Sequence, residues 1–173
     1  MIKGIALFSG GLDSILAIRL IQQQNVNIEA INFATPFLSH DYKTVKEASE
    51  TLGLPFHVFE LSDTYLDMLK KPVYGYGKHM NPCVDCRIFM LKKASEYMKE
   101  NGASFLVTGE VLGQRPMSQR PYSLKIIERD TGLEGIIVRP LSARLLSPSI
   151  PEKNGWIKRE ELLAIKGRSR IEQ

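Results

Sequence analysis

Apolar and polar residues fall in blocks along this chain, and the period within each block changes from one to the next. Ile2 to Phe8 is a short apolar run that stops at Ser9-Gly10-Gly11. Ile15, Leu16, Ile18, Leu20 and Ile21 then recur as on a buried helix reaching about Gln24. The pattern predicts strand, tight turn, helix. Ile28 to Phe33 reads as a second strand, His40 to Leu52 as an amphipathic helix ended by Gly53, and Pro55 to Leu61 as a third strand. Asp63 to Lys71 reads as a short helix capped by Ser62 or Asp63, and Pro72 to Pro82 is too rich in Gly and Pro to be regular. Val84 to Asn101 has helical spacing with a stop at Asn101-Gly102, and Ser104 to Thr108 reads as a strand. Further on, Ser123 to Ile127 and Gly135 to Val138 read as strands around a turn at Asp130-Thr131-Gly132, and Arg159 to Ile165 as a final helix.

Alternating strands and helices predict an α/β fold, an open parallel sheet with helices on both faces and right-handed crossovers. A chain of 173 residues, 43% hydrophobic, has material for one core and an appendage rather than two full domains. No run approaches the roughly 20 apolar residues of a membrane span, and no signal peptide is recognisable, so a cytoplasmic protein without a membrane partner is expected. The net charge of +4 is unevenly placed: residues 1–86 carry 7 basic and 9 acidic side chains, residues 87–173 carry 16 and 10. A polyanion would prefer the second half, although a solvated basic face accounts for the count equally well.

The turn Ser9-Gly10-Gly11-Leu12-Asp13-Ser14 joins a parallel strand to a helix. Such a turn gathers backbone N–H groups and the positive end of the helix dipole around one spot, where anions bind. Glycines allow close approach, Ser9 and Ser14 add hydroxyls, and Asp13 can cap the helix, orient a basic group or hold Mg²⁺. The Gly-x-x-x-x-Gly-Lys-Ser/Thr and Gly-x-Gly-x-x-Gly patterns are absent. Ser-Gly-Gly-x-Asp-Ser after a first strand resembles the signature of the PP-loop ATP pyrophosphatases, which release pyrophosphate from ATP while adenylating a substrate. The resemblance implies ATP and Mg²⁺ as cofactors, with Ser9, Gly10, Gly11, Asp13 and Ser14 at the phosphates. It also places Asn32, Phe33 and Ala34 near the adenine, where core packing is the competing role for Phe33.

Cys83 and Cys86 lie where a loop enters a helix, whose N-terminus should lower both thiol pKa values. Zinc, redox and inert buried thiols all remain open from the pair alone, with His40, His57 or His79 as further zinc ligands. Asn81-Pro82-Cys83-x-x-Cys86 in this place resembles the tRNA 2-thiouridylases, whose motif carries a catalytic cysteine at the position of Cys86. Related thiolases hold a 4Fe-4S cluster, which would make both cysteines metal ligands. Those cluster enzymes use a further downstream cysteine, and this chain has none.

Thr108-Gly109-Glu110-Val111-Leu112-Gly113-Gln114, then Ser118-Gln119 and Arg139-Pro140-Leu141, look like the matching blocks of the tRNA 4-thiouridine synthetases. These polar loops should open at the carboxyl ends of the strands, beside the glycine turn, bringing Gly109 and Gln114 to the nucleotide. Arg115, Arg120 and Arg139 would meet phosphate or stay solvated; Glu110 would bind Mg²⁺ or cap a turn.

The resemblance covers about residues 5–141. It divides the chain into a PP-loop ATP-binding domain over 1–141 and a C-terminal extension over 142–173, read as the start of a truncated region. Because the sequence starts at the first strand, the chain is expected to be without the N-terminal RNA-binding module that 4-thiouridine synthetases carry. The function implied is ATP-dependent tRNA sulfurtransfer with Asp13, Cys83 and Cys86 catalytic. Its partners would be tRNA and a sulfur donor, a cysteine desulfurase or sulfide, with a homodimer as one option. The rivals are a ligase or amidotransferase of the same superfamily with structural zinc, and a non-catalytic adenine-nucleotide sensor.

Overall fold

A computed structural model describes residues 2–34, 42–61, 63–77 and 80–168. His40, Ser62 and His79 of the expectations above, and the tail from residue 169, lie outside the described residues. The first strand β1 (Lys3–Leu7) leads through the glycine turn into α1 (Leu12–Gln22), followed by β2 (Asn27–Ala34), α2 (Tyr42–Thr51) and β3 (Phe56–Glu60). Next come α3 (Asp63–Lys70), α4 (Cys83–Glu100), β4 (Phe105–Thr108), α5 (Pro121–Thr131), β5 (Ile137–Val138) and the short α6 (Ile150–Lys153).

All strand pairs are parallel, in the order β3-β2-β1-β4-β5. β2 and β3 lie to one side of β1, β4 and β5 to the other. The order therefore reverses between β1 and β4, the position at which open α/β sheets bind ligands beyond the carboxyl ends of their strands. Alternate residues of each strand feed two cores. One face packs Ala6, Phe8, Ile28 and Ala30 against Ala17, Ile18 and Ile21 of α1 and Val45 of α2. The other packs Ile5, Leu7, Ile31 and Phe33 against Tyr65 of α3, Leu91, Ala94 and Met98 of α4 and Ile127 of α5. Burying an aliphatic side chain of this kind contributes about 1.5–3 kcal/mol.

The first three strands, α1 and the long cysteine-bearing helix form where the periodicity places them. Two expectations fail. The segment 123–127 lies inside α5, not a strand. Pro121 opens that helix, Leu124 and Ile127 are its buried positions, and Gly132 closes it at φ 67°. The run is too short for a period of two to be told from half of a helical face, and the turn expected at 130–132 is a helix end. β5 then pairs parallel to β4 through Leu106–Ile137 and Val107–Val138. The final helix over 159–165 is also absent: only the single 3-10 turn Arg159–Glu161 forms. Beyond it the backbone is used elsewhere, Leu163 N–H donating to the Pro140 carbonyl and Ile165 N–H to that of Leu141. Residues 142–168 put Ala143, Ile157, Leu162 and Ile165 into the same core as α1, and Gly167 N–H bonds the Leu112 carbonyl. Among the described residues no helix is long and apolar enough to cross a membrane.

Candidate functional site

Parallel strand β1 ends at Leu7 and is followed by Phe8, whose carbonyl accepts from the buried Asn32 amide at 2.7 Å. The chain then turns through Gly10 at φ 73°, a left-handed conformation that favours glycine. A Cβ there would stand 3.2 Å from Cγ2 of Val45, so the turn is held down by α2. Gly11 is the N-cap residue of α1 and supplies no side-chain cap. The Ser14 hydroxyl is turned inward to the Gly11 carbonyl at 2.8 Å, and Ser9 Oγ, on an exposed residue, lies 3.3 Å from Ser14 Oγ. The result is a helix start with no side-chain cap and one exposed hydroxyl, that of Ser9, an arrangement suited to phosphate oxygens.

The loop after β4 closes the other side of this turn. A Cβ on Gly109 would sit 2.7 Å from the Ser14 nitrogen and 2.8 Å from the Asp13 carbonyl carbon, so the two backbones touch. Gln114 Nε2 donates to Asp13 Oδ2 at 2.8 Å, fixing the carboxylate over the first turn of α1. The structure thus brings together Ser9, Gly10, Gly11, Asp13, Ser14, Gly109 and Gln114. Phe33 stands apart: it is 7% exposed and stacks on Phe59 with ring centroids 5.4 Å apart. It packs in the core, with Ala34 beyond it exposed at the strand end.

The cysteines occupy the first turn of α4, both half-buried. Between them Asp85 is buried, and its carboxylate accepts from the backbone N–H groups of Val73 at 2.6 Å and Tyr74 at 3.0 Å. This ties the irregular segment before the cysteines to their own helix. The same segment meets the loop after β4 at Gly77, where a Cβ would fall 1.7 Å from the sulfur of Met117. Tyr65 Oη and Cys86 Sγ are hydrogen bonded at 3.3 Å. Burial pushes the Cys86 thiol up, outweighing the Tyr65 hydrogen bond and the Arg87 and Arg115 guanidiniums that pull it down. The lowering expected at the helix N-terminus is not found for Cys86, because desolvation of its thiolate raises the pKa.

Glu110 is 2% exposed and neither caps a turn nor faces solvent. Its Oε1 accepts from Arg87 Nε at 2.7 Å, and its Oε2 from Arg139 Nε at 2.9 Å and Thr108 Oγ1 at 3.1 Å. Burial alone would raise its pKa; the two guanidiniums outweigh it and hold the carboxyl down to about 2. Arg139, expected to meet phosphate or stay solvated, is 5% exposed and also pairs with Glu128. It is committed to a buried ion network. Arg115 and Arg120 are exposed on the loop and helix start beyond Gln114.

His57 stacks on Tyr97 at 5.1 Å and meets the edge of Phe59, so it is no partner for the cysteines. Among the described residues no group of three His, Cys, Asp or Glu is disposed to hold a metal. An open groove of about 510 Å³ lies elsewhere, between β3 and α4, lined by residues including Phe59, Phe89, Lys93 and Tyr97. It contains neither the glycine turn nor the cysteines, and the chemistry-bearing residues lie with the turn. Tyr65, Asp85, Arg87 and Met117 were not legible as site residues. Asp85 and Arg87 flank Cys86, so adjacency to the pair was the signal available.

Residues 2–144 match the family model described as thiamine biosynthesis protein (ThiI). A probable tRNA sulfurtransferase of Finegoldia magna is 31% identical over 148 residues, covering 82% of this chain and 36% of that protein. A tRNA-specific 2-thiouridylase MnmA of Campylobacter curvus is 28% identical over 115 residues, covering 62% of this chain and 34% of that protein. The chain spans about a third of the length of these curated relatives. Among solved structures, a predicted subunit of tRNA methyltransferase from Methanocaldococcus jannaschii superposes with a TM-score of 0.58 at 19% identity. That superposition covers 82% of this chain and 69% of the other, and shows a shared fold.

Proposed function

Because the chain belongs to the thiamine biosynthesis protein (ThiI) family, we propose that it forms the ATP-using part of a tRNA sulfurtransferase, which replaces a uridine carbonyl oxygen by sulfur. The names of its relatives support tRNA as the substrate and sulfur as the atom delivered. One observation carries the reading for this chain. The loop after β4 rests on the phosphate turn through Gly109 and Gln114, and the same loop meets the cysteine segment through Met117 and Gly77. Activation and sulfur delivery need two chemistries at one substrate atom, and this loop borders both.

The residues fit ATP. The N–H groups at the start of α1 receive the phosphates with no side chain capping them. The strand end at Asn32, Phe33 and Ala34 takes the adenine, with Phe33 supporting it from the core. Asp13, one carboxylate beside a phosphate site, suits Mg²⁺, which binds through one or two carboxylates plus substrate phosphates. When bound, Mg²⁺ neutralises charge on the departing pyrophosphate. The uridine oxygen attacks the α-phosphorus and pyrophosphate leaves. Sulfur carried at Cys86 then adds to the activated carbon, and AMP leaves with the oxygen. Cys83, one helical turn away, is placed to take over the bond to Cys86 as the sulfur departs. That leaves a Cys83–Cys86 disulfide: sulfide attacking it reloads Cys86 as a persulfide and frees the Cys83 thiol, whereas a cysteine desulfurase reloads Cys86 only after a dithiol reductant has reopened the disulfide. A 4Fe-4S cluster does not fit the described residues, which offer two thiols and no third ligand, so no step runs through one. Arg115 and Arg120, exposed beside this loop, are positioned for RNA phosphates. Activity on tRNA makes the setting cytoplasmic.

The test is pyrophosphate release from ATP with tRNA present, followed by mass spectrometry of the tRNA nucleosides. AMP, pyrophosphate and a thiolated uridine are expected together. No pyrophosphate release identifies a nucleotide sensor instead; AMP formation with a product lacking sulfur identifies a ligase.

A further inference from the structure

Arg87 immediately follows Cys86 on α4, and Glu110 immediately follows Gly109 on the loop that touches α1. Their side chains meet at 2.7 Å, with 23% of the Arg87 side chain and 2% of the Glu110 side chain exposed. One bond therefore joins the residue next to the sulfur-bearing cysteine to the residue next to the glycine packed on the phosphate turn. We infer that Arg87 and Glu110 are a positioning pair: they hold the first turn of α4, and with it Cys86, in register with the nucleotide at the start of α1. This rests on the reading that ATP binds at that turn.

The energetics favour register over stability as the role of the pair. A buried ion pair contributes little net stability, since desolvating two charges offsets much of their attraction, but it fixes the relative placement of the elements that carry it. Arg139, at 2.9 Å from Glu110 and equally enclosed, shares its one charge between Glu110 and Glu128 on α5. Arg87 brings the second positive charge that balances the two carboxylates. It also adds a bond from a different element, the cysteine helix, to a carboxylate that Arg139 and Thr108 hold still. Oε1 is turned to Arg87 while Oε2 receives the other two donors. The two ends of the carboxylate thus serve separate tasks.

The experiment compares the full chain with Arg87→Met and Arg87→Lys, each carrying Cys83→Ser so that one thiol reports. ATP affinity is measured by titration. Alkylation of Cys86 by iodoacetamide is timed with and without saturating ATP and Mg²⁺. Arg87 also acts electrostatically on the Cys86 thiol, so the quantity read is the ratio of rates with and without nucleotide, not the absolute rate. With Arg87 intact, the ratio should depart from unity by about tenfold, within the usual range of coupling between sites. In Arg87→Met it should collapse towards unity while ATP affinity stays within about twofold, and Arg87→Lys should recover part of it. A ratio unchanged in Arg87→Met, or already at unity with Arg87 intact, overturns the inference. Absence of ATP binding with Arg87 intact overturns the nucleotide reading instead, so the two failures are distinct. Arg87→Met should melt somewhat below the protein with Arg87 intact yet remain folded, since Arg139 is then left to two carboxylates, and Arg87→Lys should recover part of the loss. An Arg87→Met protein that unfolds assigns the pair to stability and also overturns the inference.

Discussion

The amide of Gln114 donates to the carboxylate of Asp13 at 2.8 Å across a separation of 101 residues, joining the loop after β4 to the first turn of α1. Removing either partner has a different consequence. Asp13→Ala should abolish AMP formation with the melting temperature nearly unchanged. Gln114→Ala should lower AMP formation by about ten- to a hundredfold, since a hydrogen bond to a charged group contributes about 1.5–3 kcal/mol. Radiolabelled ATP assays resolve both; AMP formation untouched in Asp13→Ala would remove that residue from the site.

Gly109→Ala tests the contact between the same two segments by volume. The added carbon would stand 2.7 Å from the Ser14 nitrogen, against backbone that cannot swing aside. The start of α1 must shift, and ATP affinity should fall at least about tenfold, because a displacement of about 1 Å in a positioned site is costly. Gly77→Ala meets only the flexible Met117 side chain, so its effect on ATP affinity should be much smaller. Isothermal titration of the two variants gives the comparison, and equal losses would contradict it.

Glu110 sets an acid limit on the fold. Its folded pKa of about 2 lies below the ordinary 4.5. The stabilisation it provides is therefore complete above about pH 4.5 and is lost as pH falls from there towards 2, about 3 kcal/mol in all. Glu110→Leu leaves Arg139 with Glu128 alone and should cost about 3–5 kcal/mol at neutral pH. The variant should also show a flatter loss of stability between pH 4.5 and 2. Urea unfolding across that range checks both statements, and a parallel pH dependence in the variant counts against them.

Cys86→Ser should stop sulfur transfer while leaving ATP affinity unchanged, because the thiol sits on the first turn of α4 and the glycine turn at the start of α1. Retained thiolation in a tRNA assay would reject its role. Arg120→Ala should weaken tRNA binding without changing AMP formation at saturating tRNA, and should reduce the slope of log affinity against log salt by about 1. An unchanged slope places Arg120 outside the RNA footprint.

The sequence alone carried every feature that depends on neighbours within one turn or one strand. Ile2 to Phe8, the glycines at 10 and 11 and the apolar repeat after them specify strand, turn and helix locally, because backbone conformation and the buried stripe of a helix are written within about a dozen residues. The entry of α4 at the cysteines was legible for the same reason. The five residues 123–127 were not, since a short apolar run satisfies either period and only packing of Leu124 and Ile127 on the sheet selects the helix. The tertiary structure alone decided that β4 lies beside β1, which brings Gly109 onto Ser14, and that Arg139 faces Glu110 rather than phosphate. It also set the direction of the shift at Cys86, because helix position can be read from spacing, whereas the burial that desolvates the thiol depends on side chains that only the fold gathers around it.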